Sequence, residues 1–428
     1  MIESNYNQMP DKRFGITIKI IIISLMINAL FSGVDFSQLG MPKGISSMAD
    51  AILKLFLAMI LLTIYKNKNR YYIILIATAF ALLTGFLTGV YYHNDEYSKS
   101  LSFVLNLYLW LIIYFYAFKI ESNIKLWHSL LTIIIATTII SLLLYFLALF
   151  GVNTKILSGA WLYDHNMRFS STFSEPSLSG YFFGLMFLLI FFSRHKHRIK
   201  LSCLFFFVTV LSGAKFTLVI LPLILMLNVI FKFRGVFRKV YLLLPLIIFA
   251  AYASLAAIYP QLFSILSNSK EPSATMTYVT RFGFPITSIS QLQDYPLGTG
   301  FYGYKTTLEP FIDDYCRSLN GINVICSEMS SYVDPKNASA YEDFAPKDVL
   351  SFIVLTFGFP GLLFFIIISF GIALTFRERK GLFLIYMYIL SSMLFVLPFR
   401  FILFFSLFLF QVYIYHEKRR FMYYTKPC

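Results

Sequence analysis

Twelve apolar runs follow one another along this 428-residue chain, and a polar segment of about 90 residues, Pro260 to Val349, interrupts them after the ninth. A run of roughly 17 to 25 apolar residues spans a hydrocarbon core of about 30 Å as one helix. Lipid offers no partners to backbone N–H and C=O groups, so such runs must form helices that satisfy themselves. The runs are Phe14–Phe31, Ala49–Tyr65, Tyr71–Val90, Leu101–Phe118, Leu126–Phe150, Ser177–Ser193, Ile199–Leu211, Phe216–Phe231, Val240–Tyr259, Leu350–Phe376, Leu382–Leu397 and Phe401–His416. The expected fold is an all-α polytopic membrane protein with about 12 transmembrane helices. Its segments are an N-terminal tail (1–13), helices one to nine (14–259), one large, partly folded loop (260–349), helices ten to twelve (350–416) and a C-terminal tail (417–428).

The cations orient these spans. Alternate connections carry Lys66, Lys68 and Arg70, then Lys119 and Lys125, then Arg194, Lys196, Arg198 and Lys200. The series continues with Lys232, Arg234, Arg238 and Lys239, then Arg377, Arg379 and Lys380, and ends on Lys418, Arg419 and Arg420. The opposite connections hold scattered cations such as Lys43, Lys99, Lys155 and Arg168. Because Lys and Arg gather on the cytoplasmic side, both termini are expected in the cytoplasm and the large loop outside it. Asp11-Lys12-Arg13 precedes the first run with no clear small-residue cleavage site after it, so a retained span is expected.

One stretch, Ile199 to Phe231, reads either as a single helix broken at Ser212-Gly213-Ala214-Lys215 or as two spans. A single helix would put the last two basic clusters outside, so two spans are expected. Ile199–Leu211 then rises only about 20 Å at 1.5 Å per residue, which sets its turn, with Lys215, below the outer interface. The hairpin at Pro398-Phe399-Arg400 is similarly short. A Lys or Arg at mid-bilayer costs about 2.5–3.5 kcal/mol on insertion scales. A water-filled cavity and snorkelling to the outer headgroups are the two readings of Lys215 and Arg400.

The chain is 58% hydrophobic and 13% charged, against about a quarter charged in soluble domains. The net charge of +15 lies in short clusters beside apolar runs, so it marks topology and excludes a nucleic-acid partner. No Walker loop or Rossmann fingerprint occurs, and no His/Cys set has metal-ligand spacing; no cofactor or metal is expected. Cys316 and Cys326 lie in the large loop. If that loop is exposed to an oxidising compartment a disulfide is permitted, and a bridge and two free thiols both stay open. No internal repeat of the kind many transporters show is evident.

Two outer segments carry residues with chemistry. The first runs Arg168-Phe169-Ser170-Ser171-Thr172-Phe173-Ser174-Glu175-Pro176-Ser177. A guanidinium offers phosphate a planar fork of donors, and Pro176 suits the first position of a helix, which fixes Glu175 in place. Arg168 and Glu175 together suit a pyrophosphate and a hydroxyl to be deprotonated; the blander reading of Glu175 is a carboxylate favoured by a helix dipole. The second contains Arg281, at the start of a short amphipathic helix, followed by Asp294-Tyr295-Pro296-Leu297-Gly298-Thr299-Gly300-Phe301-Tyr302-Gly303. Asp294, Gly298, Gly300 and Tyr302 are candidates for glycan contact, the glycines by letting backbone N–H groups approach an anion or sugar. Gly-x-Gly alone is more often a turn. Asp313, Asp314, Glu328, Asp334, Glu342, Asp343 and Asp348 read mainly as solvated acids, and the Asp164-His165 pair as incidental.

With these segments in view, the chain resembles the O-antigen polymerase (Wzy) and O-antigen ligase superfamily from roughly Asn166 to Leu363 and in its number of spans. The carriers are Arg168-Phe169-Ser170, Phe173-Ser174-Glu175-Pro176-Ser177, Leu211-Ser212-Gly213-Ala214-Lys215, Arg281 ahead of Tyr295-Pro296-Leu297-Gly298-Thr299-Gly300, and Gly358-Phe359-Pro360-Gly361. The resemblance implies an inner-membrane glycosyltransferase that joins oligosaccharide repeat units carried on undecaprenyl pyrophosphate at the periplasmic face. It implies that Arg168 and Arg281 handle the anionic donor; on chemical grounds Lys215 and Arg400 are weaker candidates for the pyrophosphate, and Glu175 is the candidate general base. Donor and acceptor are both lipid-linked oligosaccharides, and a flippase and a chain-length regulator of the same pathway are the implied protein partners. Lys215 stands where the family usually has Arg, which puts a bidentate grip there in doubt. Ligases usually carry a His before the late helix; this chain has Pro346-Lys347-Asp348, which favours polymerase over ligase. A lipid-linked oligosaccharide flippase is the alternative from another class.

Overall fold

The computed structural model describes residues 12–30, 45–64, 69–92, 97–124, 126–151, 168–230 apart from 172 and 174, 272–318, 323–334, 346, 348–376, 379–395 and 401–424. Every regular element among them is a helix. They are α1 (Lys12–Leu30), α2 (Ile45–Ile64), α3 (Asn69–Tyr92), α4 (Tyr97–Ile124), α5 (Leu126–Leu149), α6 (Pro176–Phe191), α7 (Arg198–Leu211) and α8 (Lys215–Ile230). The large loop contributes α9 (Pro272–Gln291), α10 (Tyr304–Thr307), α11 (Glu309–Ser318) and α12 (Asn323–Val333), and α13 (Val349–Phe376), α14 (Lys380–Phe395) and α15 (Phe401–Tyr424) complete the chain. The all-α expectation is met. Eleven of the twelve apolar runs coincide with these helices; the ninth, Val240–Tyr259, lies outside the described residues. Among the described residues three helices are long and apolar enough to cross a membrane: Leu75–Tyr92, Leu126–Leu149 and Val349–Phe376.

Two compact units divide the chain differently from its linear segments. The first comprises Met1–Ala79, Leu105–Leu218 and Phe401–Cys428; the second comprises Phe80–Val104 and Val219–Arg400. The large loop thus shares a unit with the end of α3, the start of α4, and α13 and α14.

The first unit is organised on α6, which is apolar all round and buried along nearly its whole length. A helix of that composition needs neighbours on every side. Phe183 stacks on Phe205 of α7 with ring centroids 6.2 Å apart, and Phe182 on Phe405 of α15 at 6.1 Å. Between helices in lipid such contacts act through close packing more than through water exclusion. Among the described residues of this unit one Lys or Arg is enclosed: Lys54 of α2, 2% exposed, donates to Asn106 Oδ1 of α4 at 3.1 Å, its Nζ 5.4 Å from the centre of the Trp110 ring. An amide and an aromatic face supply what lipid would not.

In the second unit, α9 packs on α11, α12 and α13. Gly283 makes this possible, because a Cβ there would meet Met329 Sδ and, at 2.8 Å, the Tyr315 ring. A Cys316–Cys326 disulfide ties α11 to α12, so the bridge is formed and the described part of the loop is folded. The Tyr386 hydroxyl of α14 donates to Ser369 O of α13 at 2.9 Å.

Within the same unit α13 is broken at Gly358 (φ 61, ψ −144), and the break has a consequence for its neighbours. In an unbroken helix Leu355 O would accept from the N–H of Phe359 and Thr356 O from residue 360. Here the Phe359 N–H donates to Pro296 O at 2.8 Å, and residue 360 is a proline without an N–H. The two carbonyls so released accept from the loop that follows α9: Thr299 N–H to Leu355 O at 2.8 Å, and Gly300 N–H to Thr356 O at 3.0 Å. Phe301 N–H then donates to Gly85 O of α3 at 3.0 Å.

Candidate functional site

In the first unit the segment opened by Arg168 lies against the α7–α8 break. The Phe169 N–H donates to Leu211 O, the end of α7, at 3.0 Å. Gly213 stops α7 with φ +57, and the space a Cβ would fill there is taken by the Arg168 stem, whose Cδ stands 3.0 Å from it. Ser171 holds a left-handed backbone (φ 55) and donates its hydroxyl to Ser141 Oγ of α5 at 3.1 Å. Glu175 is the N-cap of α6, extended at φ −139 and ψ 141, with Pro176 next to it as expected. Its side chain does not cap; it accepts from Ser177 Oγ at 3.1 Å. One turn further, Gly180 backs onto Ser212 and Ala214. Arg168, the Gly213 turn and the start of α8 at Lys215 are thus one locality, and Glu175 heads the helix packed beside it. Arg168 and Glu175 are half-buried; Lys215 is exposed.

In the second unit Arg281 is not at a helix start. It lies midway along α9, half-buried, and Gly283 and Pro285 sit inside the same helix. Its charge acts on Asp348. That residue, grouped with the solvated acids on sequence grounds, is 1% exposed at the head of α13. Asp348 Oδ1 accepts from the Ser351 N–H and Oδ2 from the Ser351 hydroxyl, both at 2.7 Å. Burial raises the carboxyl from 3.8 to about 7, while the Ser351 bonds, the Arg281 charge and the Leu350 N–H hold it down. The signal that could have found it is its place as the last acid before an apolar helix, which is the N-cap position.

The glycine candidates have a different occupation from the one expected. Gly298, Thr299 and Gly300 are buried, and their N–H groups donate to Tyr295 O, Leu355 O and Thr356 O. One donor is spent on a turn and two on the broken helix, so these three are not left for an anion or a sugar. Asp294 is exposed in the turn after α9. Tyr302 is half-buried with φ 63, and Lys305, 1% exposed, places Nζ 5.2 Å from the centre of its ring. Sequence reading passed over Lys305. Among the described residues, Ser171 and Tyr302 are the two non-glycines with left-handed backbone. Such residues cost about 1–3 kcal/mol and concentrate at functional sites; both fall in the segments singled out above.

Arg400 and the Asp164-His165 pair lie outside the described residues. Among those described, no group of three or more His, Cys, Asp or Glu side chains is placed to hold a metal ion. The chain matches no protein-family model, no curated protein and no solved structure.

The raised Asp348 pKa links this site to stability. A folded-state value above the ordinary one means the folded chain holds a proton that the unfolded chain has released. The group's contribution is full below about pH 4 and is lost as pH rises through about 7. Asp348→Asn is therefore expected to gain stability over the natural chain between pH 5 and pH 8, on the order of 2–4 kcal/mol. Thermal unfolding of both proteins in detergent at the two pH values checks this; parallel losses would place the carboxylate in water.

Proposed function

We propose that the protein is a surface-polysaccharide polymerase, a bacterial inner-membrane glycosyltransferase that joins undecaprenyl-pyrophosphate-linked repeat units at the periplasmic face. The observation that carries the reading is Arg168 seated over the helix break that leads to Lys215, two cations at one turn between apolar helices. Such a turn suits an anionic headgroup next to a lipid chain. Arg281, backed by buried Asp348, supplies the same chemistry in the second unit, and the resemblance of these segments to O-antigen polymerases supplies the substrate class. The proposed topology has twelve spans with both termini cytoplasmic.

In the proposed reaction, an acceptor sugar hydroxyl attacks the anomeric carbon of the donor glycan. The new C–O bond forms as the bond to pyrophosphate breaks, and the hydroxyl proton passes to Glu175. Undecaprenyl pyrophosphate leaves as the anion, and Arg168 and Arg281 stabilise its developing charge. Asp348, with both oxygens engaged by Ser351, acts through Arg281 as a positioning residue. The test is the full chain in vesicles supplied with lipid-linked repeat units and no lipid A-core. A ladder of multiples supports the polymerase. Transfer that starts only when lipid A-core is added makes it a ligase, and movement of the lipid-linked unit across the bilayer without bond formation makes it a flippase.

A further inference from the structure

We infer that the Tyr295–Phe301 segment is a re-entrant loop at the depth of the bilayer's acyl chains, with Leu297 in contact with lipid. The inference rests on the membrane character of α3 and α13 and not on the transferase reading. Three observations in the second unit converge on it.

The first is where the loop is attached. It is bonded to α13 at Leu355 and Thr356, about two turns into a helix long and apolar enough to cross a membrane, and to α3 at Gly85, seven residues before that helix ends. The second is what is exposed at that level. Leu87 and Tyr91 of α3 are 56% and 79% exposed, Phe359 and Leu363 of α13 are 60% and 53%, and Leu297 between the two attachments is 74% exposed. A leucine so bare continues the apolar stripes of both helices. The third is the hydrogen bonding. Irregular backbone survives at hydrocarbon depth only if its polar groups are satisfied within the protein. The N–H groups of Gly298, Thr299, Gly300 and Phe301 all donate to carbonyls, and the Pro296 carbonyl accepts from Phe359.

Burial along α13 changes at the same place. Val349 to Thr356 is buried almost throughout, whereas Phe359, Leu363, Phe364 and Ile367 are exposed. The lipid-facing part of α13 accordingly begins at Phe359, one turn from the two carbonyls that hold the loop. Before Gly358 the helix is enclosed by the rest of the second unit, and Asp348 at its head is buried away from lipid.

A nitroxide label reads this directly. Leu297→Cys is made with Cys203→Ser and Cys428→Ser, and the full chain is placed in phosphatidylethanolamine–phosphatidylglycerol vesicles without substrate. Phe359→Cys serves as the lipid reference and Asp313→Cys, on an exposed face of α11, as the water reference. The expected result is collision with oxygen several-fold above collision with a water-soluble nickel chelate at 297, as at 359, and the reverse at 313. A water-like ratio at 297 overturns the inference by placing the loop in solvent. Shielding from both reagents overturns it by showing that protein, such as a second copy of the chain, covers the leucine.

Discussion

Alanine at Arg281 is expected to leave a stably inserted protein that makes no long glycan, with transfer slowed about 100- to 1000-fold. The size follows from removing one preorganised cation from a leaving group whose charge develops in the transition state. The fold is expected to survive because of Asp348. Deleting one member of a buried ion pair usually strands a charge. Here the carboxyl already titrates at about 7, and loss of the Arg281 charge, which lowers that value, leaves it protonated and neutral at pH 7. Arg281→Lys keeps the charge and loses the fork, so an intermediate rate is expected. Arg168→Ala is expected to match Arg281→Ala in glycan, since its guanidinium is held over the Gly213 turn. The measurement is the glycan ladder normalised to protein in the membrane. A natural ladder from either alanine variant removes that residue from the site.

The contrast between Arg281 and Glu175 shows what the sequence made legible. Glu175-Pro176 before an apolar run is a local signal, and it marks the start of α6 to the residue. The apolar runs are local too, since each must satisfy its own backbone, and they foretold eleven helices within a few residues at most ends. The C-terminal end of α15, eight residues past His416, escaped because a polar tail stays helical there without an apolar period. Arg281 is expected at a helix start, whereas it lies midway along α9. Inside α9 Gly283 admits Met329 and Tyr315, partners more than 30 residues away. Asp348 escaped for a related reason: an acid before an apolar helix looks the same whether water or α9 covers it.

The glycines of the re-entrant segment were the most misleading. Gly298-Thr299-Gly300 offers free N–H groups on paper, and a phosphate cradle and a helix repair use the same donors. The deciding residues stand about 60 positions later. Gly358 and Pro360, inside an apolar run, announce that carbonyls one turn earlier have lost their donors. A buried carbonyl so orphaned has to find an N–H elsewhere. Gly-x-Pro within a span and Gly-x-Gly in a preceding loop therefore form one structural device, and the pairing is readable in sequence once the donors and acceptors are counted together.

That count makes Gly300 the residue whose loss should damage the fold most. Gly300 has φ +75, and a Cβ there would meet Gly89 N and Gly85 O, and Gly89 Cα at 2.7 Å, all backbone atoms of α3. Left-handed backbone costs an alanine roughly 1–2 kcal/mol before any contact is considered. The clash cannot be relieved by a rotamer, so the loop must leave α3. Departure strands Gly85 O's partner, the Phe301 N–H, and weakens the bonds to Leu355 and Thr356, each buried donor costing about 1–3 kcal/mol if left unmade. Gly300→Ala is thus expected to lose about 4 kcal/mol or more, beyond the range of ordinary substitutions, and to accumulate poorly in the membrane. Gly371→Ala is the matched control. It lies within α13 with nothing near its Cβ position, so helix propensity alone applies and a gain of up to about 1 kcal/mol is expected. Thermal unfolding in detergent of the two variants beside the natural chain decides the matter. If Gly300→Ala unfolds at the natural temperature, the loop is not clamped between α3 and α13, and the re-entrant segment loses its physical basis.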